Sequence, residues 1–278
     1  DTPYIKYNNK FEKASWKEVF DIIKSKLNNT DHDKICGITG DLVNMETSYI
    51  FKEFFNKTLG SQNVESRNDH TYLNPQKREN YLFNSQINGI EEADLIFLIG
   101  TNPRFEATIL NARIRKAYLQ NKTKIISLNN VGDLTYPYEF MDGNVENIKK
   151  IIEDDHKIST LIKEAKKPLI MFGQSSLKSK SAKYIFESIK FFLKINGKMT
   201  NEWNSLNVIS ENASTVGSFD LGLYKTRDGS NEILKDLENH KFEVVYLLGA
   251  DNLKFKKNNE FIIYQGSHGD KGAEMADI

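Results

Sequence analysis

The chain has 278 residues, with 38 Lys and Arg against 38 Asp and Glu, and a single cysteine. Zero net charge leaves no excess of cations to displace counterions from phosphates, so bulk electrostatics exclude a nucleic-acid protein. One thiol excludes an internal disulfide, an iron–sulfur cluster with several thiolate ligands, and a Cys-rich zinc site.

The length suits one or two domains with a sizeable core. No apolar run approaches the roughly 20 residues that cross a bilayer, and no signal-peptide pattern opens the chain. If the protein works at a membrane, other subunits hold it there. Asp1-Thr2-Pro3 lacks a Met, and Ala276-Asp277-Ile278 lacks a polar taper, so a segment of a longer protein is expected.

The first helical signal is Ser15-Trp16-Lys17-Glu18, a capping box followed by Val19, Phe20, Ile23 and Leu27 at helical spacing. Residues 35–38 read as a short apolar strand in which Cys36 packs as a small hydrophobe. Gly40-Asp41 makes its turn. A helix is predicted over 45–59, with Tyr49, Phe51, Phe54 and Phe55 inward and Gly60 closing it. Residues 61–84 are polar and irregular.

A strand and its loop then occur twice. Asp94-Leu95-Ile96-Phe97-Leu98-Ile99-Gly100-Thr101-Asn102 is echoed by Glu243-Val244-Val245-Tyr246-Leu247-Leu248-Gly249-Ala250-Asp251. Each gives an acidic entry, five apolar residues, a Gly, a small residue and an Asn or Asp. That is how a buried parallel strand delivers a tight turn to the carboxyl edge of an α/β sheet, where ligands of doubly wound sheets sit. Two such edges predict two lobes.

After the first copy, a helix is predicted over 107–120 and a strand over 124–128, a βαβ unit with a right-handed crossover. Helix follows over 145–166, strand over 168–172, and helix over 182–195. Residues 201–227 are loop-rich, and a short helix over 231–239 leads into the second copy. The last strand, 261–264, opens into the glycine-rich turn Gly266 to Gly272. Strands alternating with helices and ending in Gly give α/β.

Chemistry-bearing residues are sparse. No Gly-x-Gly-x-x-Gly and no Gly-x-x-x-x-Gly-Lys-Ser/Thr follows a strand, so a nucleotide is signalled only by the paired glycine exits. Gly100, Thr101, Asn102, Gly249, Ala250 and Asp251 are therefore the candidate cleft residues. His32, His156 and His240 read as solvated, and none of the five histidines has a His or Cys at metal-ligand spacing. His268 lies in the glycine-rich turn, either donating to a ligand or satisfied within its loop. Ser175-Ser176 follows a strand glycine but lacks the second Gly of a nucleophile elbow. Arg104, Arg113 and Arg115 flank the first repeat loop, and Arg113 and Arg115 read as phosphate ligands or as ion-pair partners on a solvated face. Asp133 and Asp142 read as loop carboxylates. No acid–base pair is assigned, and no catalytic or metal-ligating residue is expected.

Several segments, in order, resemble the largest iron–sulfur subunit of respiratory complex I, the NADH:quinone oxidoreductase. They begin with Pro3-Tyr4, Ala14 to Glu18, Gly40-Asp41-Leu42 with Glu46-Thr47, Tyr81 to Asn84 and Gly89 to Asp94. They continue with Ile99 to Arg104, Asn111 to Ala117, Asp133 to Tyr136, Trp203-Asn204 and Leu206-Asn207-Val208. Asp220-Leu221-Gly222, Tyr246 to Asp251 and Tyr264 to Asp270 complete the match.

The resemblance is to the molybdopterin-oxidoreductase-like half of that subunit. It implies two Rossmann-like three-layer lobes, as in the formate dehydrogenase-like fold. The first, discontinuous lobe would comprise 1–69 with 156–278, and the second, inserted lobe 70–155. Strands 35–38, 169–172, 244–248 and 262–264 would fall in the first lobe, and 95–99 and 124–128 in the second. The two repeat copies would face each other across the old cofactor cleft, plugged by bulky residues from the turns after the strands.

Relatives of that fold hold a pterin dinucleotide whose metal is bound by Cys, selenocysteine or Ser. The corresponding stretch here is Val64-Glu65-Ser66-Arg67-Asn68-Asp69-His70, which has no Cys and only the Ser66 hydroxyl. The resemblance thus implies a structural segment of the peripheral arm without its own cofactor. Iron–sulfur clusters would lie in the family's amino-terminal half. Partners would be other peripheral-arm subunits, with no nucleic acid and no direct membrane insertion. The location would be the cytoplasmic face of a bacterial inner membrane, or the mitochondrial matrix side. A working molybdopterin oxidoreductase and a nucleotide-binding remnant are the alternatives.

Overall fold

The computed structural model describes residues 2–268 and 270–278. Asp1 and Gly269, the latter part of the glycine-rich turn, lie outside the described residues. The strands in chain order are β1 (Tyr4–Tyr7), β2 (Lys10–Lys13), β3 (Ile35–Thr39), β4 (Val64–Glu65), β5 (Leu95–Ile99), β6 (Lys124–Leu128), β7 (Glu139–Met141), β8 (Pro168–Phe172), β9 (Leu206–Val208), β10 (Val244–Leu248) and β11 (Phe261–Gln265). They divide between two compact units, one of residues 1–70 with 212–278 and one of 71–211.

The discontinuous unit carries a four-stranded parallel sheet in the order β11-β10-β3-β4. Its inner strands β10 and β3 are apolar on both faces, as a parallel sheet covered by helices requires. Val244 and Leu248 point into a cluster with Ile35, Phe51 and Phe55. Val245 and Leu247 point the other way, onto Cys36, Ile38 and the helix Glu232–Glu238. The hairpin β1-β2 pairs only with itself. It is tied to the unit by the Lys6 N–H donating to Asp277 O at 2.8 Å.

The continuous unit carries a five-stranded parallel sheet in the order β7-β6-β5-β8-β9. Leu95, Phe97 and Ile99 pack on the helices Val145–Ile152, Lys157–Glu164 and Ala182–Ile195. Ile96 and Leu98 pack on the opposite side with Ile114 of the helix Thr108–Asn121. Both sheets are therefore the middle layers of α/β units.

Several expectations are corrected. Strand 168–172 belongs beside β5, with Leu95 opposite Pro168 and Ile99 opposite Phe172, not in the lobe of β3 and β10. The boundary consequently falls at 211–212 rather than 155–156. The run 145–166 is two helices, because Asp154 takes a left-handed φ of 65° and His156 caps the second. Helix 45–59 turns π-helical over Phe54–Leu59, and Tyr49 faces solvent. The irregular stretch 61–84 supplies β4, and 201–227 supplies β9 and the helix Thr215–Asp220.

Candidate functional site

Strand order locates the places where each sheet could hold a ligand. In the continuous unit the chain runs outward from β5 to β6 and β7, then crosses to β8 and β9. The switch point of this doubly wound sheet lies between β5 and β8, at Gly100 and Gly173. In the discontinuous unit the same logic places it between β3 and β10, at Gly40 and Gly249.

At the first switch point the chain fills its own edge. Gly100 takes φ 61°, and a Cβ there would overlap the Ser176 backbone. The Gly173 N–H donates to Ile99 O at 2.9 Å, and Ser175 Oγ donates to Gly100 O at 2.7 Å. Thr101 Oγ1 donates to Glu106 Oε2 at 3.0 Å, and the Asn102 N–H donates to Glu106 Oε1 at 2.7 Å. Asn102 also caps the helix Pro103–Glu106 through Oδ1 and donates from Nδ2 to Val131 O at 2.8 Å. Gly100, Thr101 and Asn102 are brought together, but their polar groups are spent on the chain itself. Small polar residues do the filling, whereas the bulky Phe105 of the same turn is exposed.

The second switch point is open. The Gly40 N–H donates to Leu248 O at 2.8 Å, and the Gly249 N–H donates to Gln265 O at 2.8 Å. Three neighbouring strands thus end on glycine turns, and a cavity of about 530 Å³ lies over them. Gly249, Asp251, Tyr264, Gly266, His268 and Asp270 line it, with Asn44 and Thr47 at the start of the helix Met45–Glu53. Ala250 is buried beneath rather than lining it. Asp251 accepts from Tyr264 OH at 3.1 Å and from the Gly272 N–H at 3.3 Å. Burial first, then the Asp251 carboxylate, pushes the Tyr264 phenol up to about 12. Among the described residues, the lining contains two carboxylates, Asp251 and Asp270, and neither Lys nor Arg.

The stretch 64–70 is bolted to residues 223–231 of the same unit. Ser66 donates its hydroxyl to Leu223 O at 2.9 Å, and its N–H donates to the same carbonyl at 3.0 Å. Glu65, 0 % exposed, accepts from Arg67 Nε at 3.0 Å and Nη2 at 2.7 Å. Arg67 Nη1 donates to Gly229 O at 3.0 Å, and the Lys225 N–H donates to Glu65 Oε2 at 3.2 Å. Sequence reasoning missed this pair, because an acid two residues before an Arg in a polar run carries no signal of burial.

The remaining candidates have structural partners. Arg104 pairs with Asp133, and Arg113 with Glu91. Arg115 Nε donates to Thr135 O at 3.2 Å, and Asp142 O accepts from Asn147. His156 and His240 are not merely solvated: His156 Nδ1 accepts from the Ile158 N–H, and His240 Nδ1 meets the buried Glu260 at 2.6 Å. His268 Nδ1 meets Ser267 Oγ at 2.9 Å at the cavity rim. Ser176 Oγ donates to Gly173 O at 2.7 Å. Cys36 is fully buried on β3, and burial, with the Asp236 and Glu260 charges, pushes its thiol well above the usual range. Among the described residues no group of three His, Cys, Asp or Glu could hold a metal ion, and no helix is long and apolar enough to cross a membrane.

A family model described as "Molybdopterin oxidoreductase" matches residues 1–278. The chain belongs to the molybdopterin oxidoreductase family. Its relatives within that family narrow the likeness further. It is 35% identical over 294 residues to the NADH-ubiquinone oxidoreductase 75 kDa subunit of Reclinomonas americana, covering 100% of this chain and 42% of that protein. It is 36% identical over 287 residues to the mitochondrial NADH-ubiquinone oxidoreductase 78 kDa subunit of Candida albicans, covering 100% of this chain and 38% of that protein. It is 35% identical over 286 residues to the mitochondrial NADH-ubiquinone oxidoreductase 78 kDa subunit of Neurospora crassa, covering 99% and 37%. The chain therefore spans about two fifths of the length of these curated relatives.

A metal-bound pterin dinucleotide does not fit the residues of this molybdopterin oxidoreductase domain. The only hydroxyl in 64–70 is held by Leu223, and the only thiol is sealed in a strand. At the open switch point, dinucleotide phosphates would meet carboxylates without a lysine or arginine to offset them. At the closed one, backbone and side chains of Ser175 and Ser176 occupy the approach to Gly100.

Proposed function

We propose that this chain is the structural, non-catalytic domain of the large iron–sulfur subunit of NADH:quinone oxidoreductase. Its work is to brace the cluster-bearing part of that subunit and to pack against neighbouring subunits of the peripheral arm. Electrons from NADH to quinone run through iron–sulfur clusters outside these residues. The complex carries the domain on the cytoplasmic face of a bacterial inner membrane, or on the mitochondrial matrix side. The observation that carries this reading is the Ser66–Leu223 hydrogen bond, which spends the one hydroxyl in the stretch where related enzymes bind their metal. Similarity along 99% or more of the chain to NADH-ubiquinone oxidoreductase subunits supports the assignment to that complex.

Native purification of the full-length subunit in its complex, followed by metal analysis and pterin fluorescence, tests it. The expected result is iron without stoichiometric molybdenum, tungsten or pterin. Stoichiometric molybdenum with pterin overturns the reading.

The cavity over Gly249 favours a second reading, a retained nucleotide. Thermal melting with guanine nucleotides distinguishes the two. A ligand at 100 times its dissociation constant adds about 2.7 kcal/mol of stability. The carboxylate lining leads us to expect no shift.

A further inference from the structure

The helix Ala182–Ile195 buries one face in the sheet core through Ile185, Phe186, Ile189, Phe192 and Leu193. A second apolar stripe lies on its outer side. Tyr184, Phe191 and Ile195 are 43 %, 58 % and 60 % exposed. With Ser188 they fall at spacings of four, three and four, the repeat by which one helix presents a seam to another. The stripe spans about 16 Å, three turns.

The seam is flanked by cations. Residues 180–195 hold four lysines and one glutamate in a chain whose net charge is zero. That glutamate, Glu187, is turned to its own unit, accepting from Tyr72 OH at 2.7 Å and from Asn74 Nδ2. Lys180, Lys183 and Lys194 are exposed and have no ion-pair partner among the described residues. On the helix, Lys194 lies in the row beside the seam, where charges choose the partner, with Lys183 just outside that row; Lys180 lies in the turn that precedes the helix.

We propose that this face docks a helix of another protein that places apolar residues along the seam and carboxylates against Lys183 and Lys194. A second copy of this chain is disfavoured, because the helix offers exposed lysines while its one glutamate is held by Tyr72 and Asn74. A lipid surface is disfavoured as well, because three apolar side chains form a stripe narrower than an interfacial helix buries. The inference does not depend on which complex the domain serves.

The test places a photo-crosslinking phenylalanine analogue at Phe191 of the full-length protein in its native assembly. Cross-linked peptides are then sequenced. The expected peptide is helical, comes from a different protein, and carries Asp or Glu beside apolar residues at three- and four-residue spacing. Charge reversal with K183E/K194E is expected to lower the cross-link yield by about tenfold, a loss of about 1.4 kcal/mol. Converting the partner's matching carboxylates to lysine is expected to restore it. A thermal melt of the K183E/K194E protein matching the parent establishes that the fold is intact. Cross-links to lipid, to another copy of the chain or to a basic segment overturn the proposal. So does an absence of cross-links in the folded protein, or a yield indifferent to charge reversal.

Discussion

Glu65 holds Arg67 in a two-point bond, Oε1 to Nε at 3.0 Å and Oε2 to Nη2 at 2.7 Å, with both side chains almost completely buried. Buried pairs of this kind add little net stability over an apolar substitute, yet removing one partner strands a charge. Here the pair also collects the backbone N–H groups of Ser66, Arg67 and Lys225. Glu65→Gln is expected to cost about 3–5 kcal/mol. Chemical denaturation measures it, as a lower midpoint at unchanged slope. A loss below about 1 kcal/mol is what a solvated surface pair gives, and it contradicts the burial of this one.

The two glycines of the open switch point are constrained differently. A Cβ on Gly40 overlaps the Gly249 carbonyl, backbone that cannot rotate aside. Gly249 takes φ 58°, but its Cβ would meet only Val43 Cγ2 at 3.4 Å, ordinary contact. Gly249→Ala is therefore expected to cost about 1 kcal/mol of left-handed strain. Gly40→Ala is expected to cost about 3 kcal/mol or to prevent folding, because β3 and β10 must separate. Melting temperatures of the two variants compare the costs, and equal losses contradict the close approach.

Much of the architecture was legible in the sequence, because short apolar runs followed by glycine fit buried parallel strands. The repeat correctly marked β5 and β10 as buried parallel strands with turns at the carboxyl edge. Strand partners were harder. Pro168–Phe172 is as apolar as any other strand, and only its hydrogen bonds to Leu95–Ile99 reveal its sheet. β4 escaped notice because its two residues, Val64 and Glu65, are too few for any period to emerge. The candidate turns were found by their glycines, but not which of them was open. That depends on Ser175 and Ser176 folding back over Gly100, a contact between residues 75 apart.

His156 links pH to the second half of the broken helix. Its Nδ1 accepts the Ile158 N–H at 3.2 Å, so the ring must be unprotonated there to cap the helix. Burial, then the neighbouring Lys157 and Lys150, lowers its pKa from the ordinary value of 6.5. The folded state thus binds fewer protons than the unfolded state as pH falls below 6.5. The stability it contributes is full above that value and declines below it. His156→Asn keeps a capping oxygen without the titration. Melts between pH 7.5 and 5 are expected to show the parent losing stability relative to the variant. Parallel pH profiles contradict the cap.

Cys36 offers a direct check on whether the chain's one thiol could ever serve a metal or cluster. It sits in the middle of the sheet, 0 % exposed, with its pKa raised first by burial and then by the charges of Asp236 and Glu260. A reactive or ligating cysteine needs the opposite environment, accessible and electropositive, which favours thiolate. The native domain is therefore expected to resist thiol reagents at pH 8, and labelling is expected to follow the unfolding transition in denaturant. Rapid labelling of the folded protein would show that β3 opens locally and that the thiol is available after all. Cys36→Ser adds a second measure, since the hydroxyl must be buried where only a small apolar group fitted. The expected cost is about 1–3 kcal/mol, whereas the metal content of the intact complex is expected to remain unchanged. A loss of bound metal in that variant would assign Cys36 the ligand role that its burial argues against.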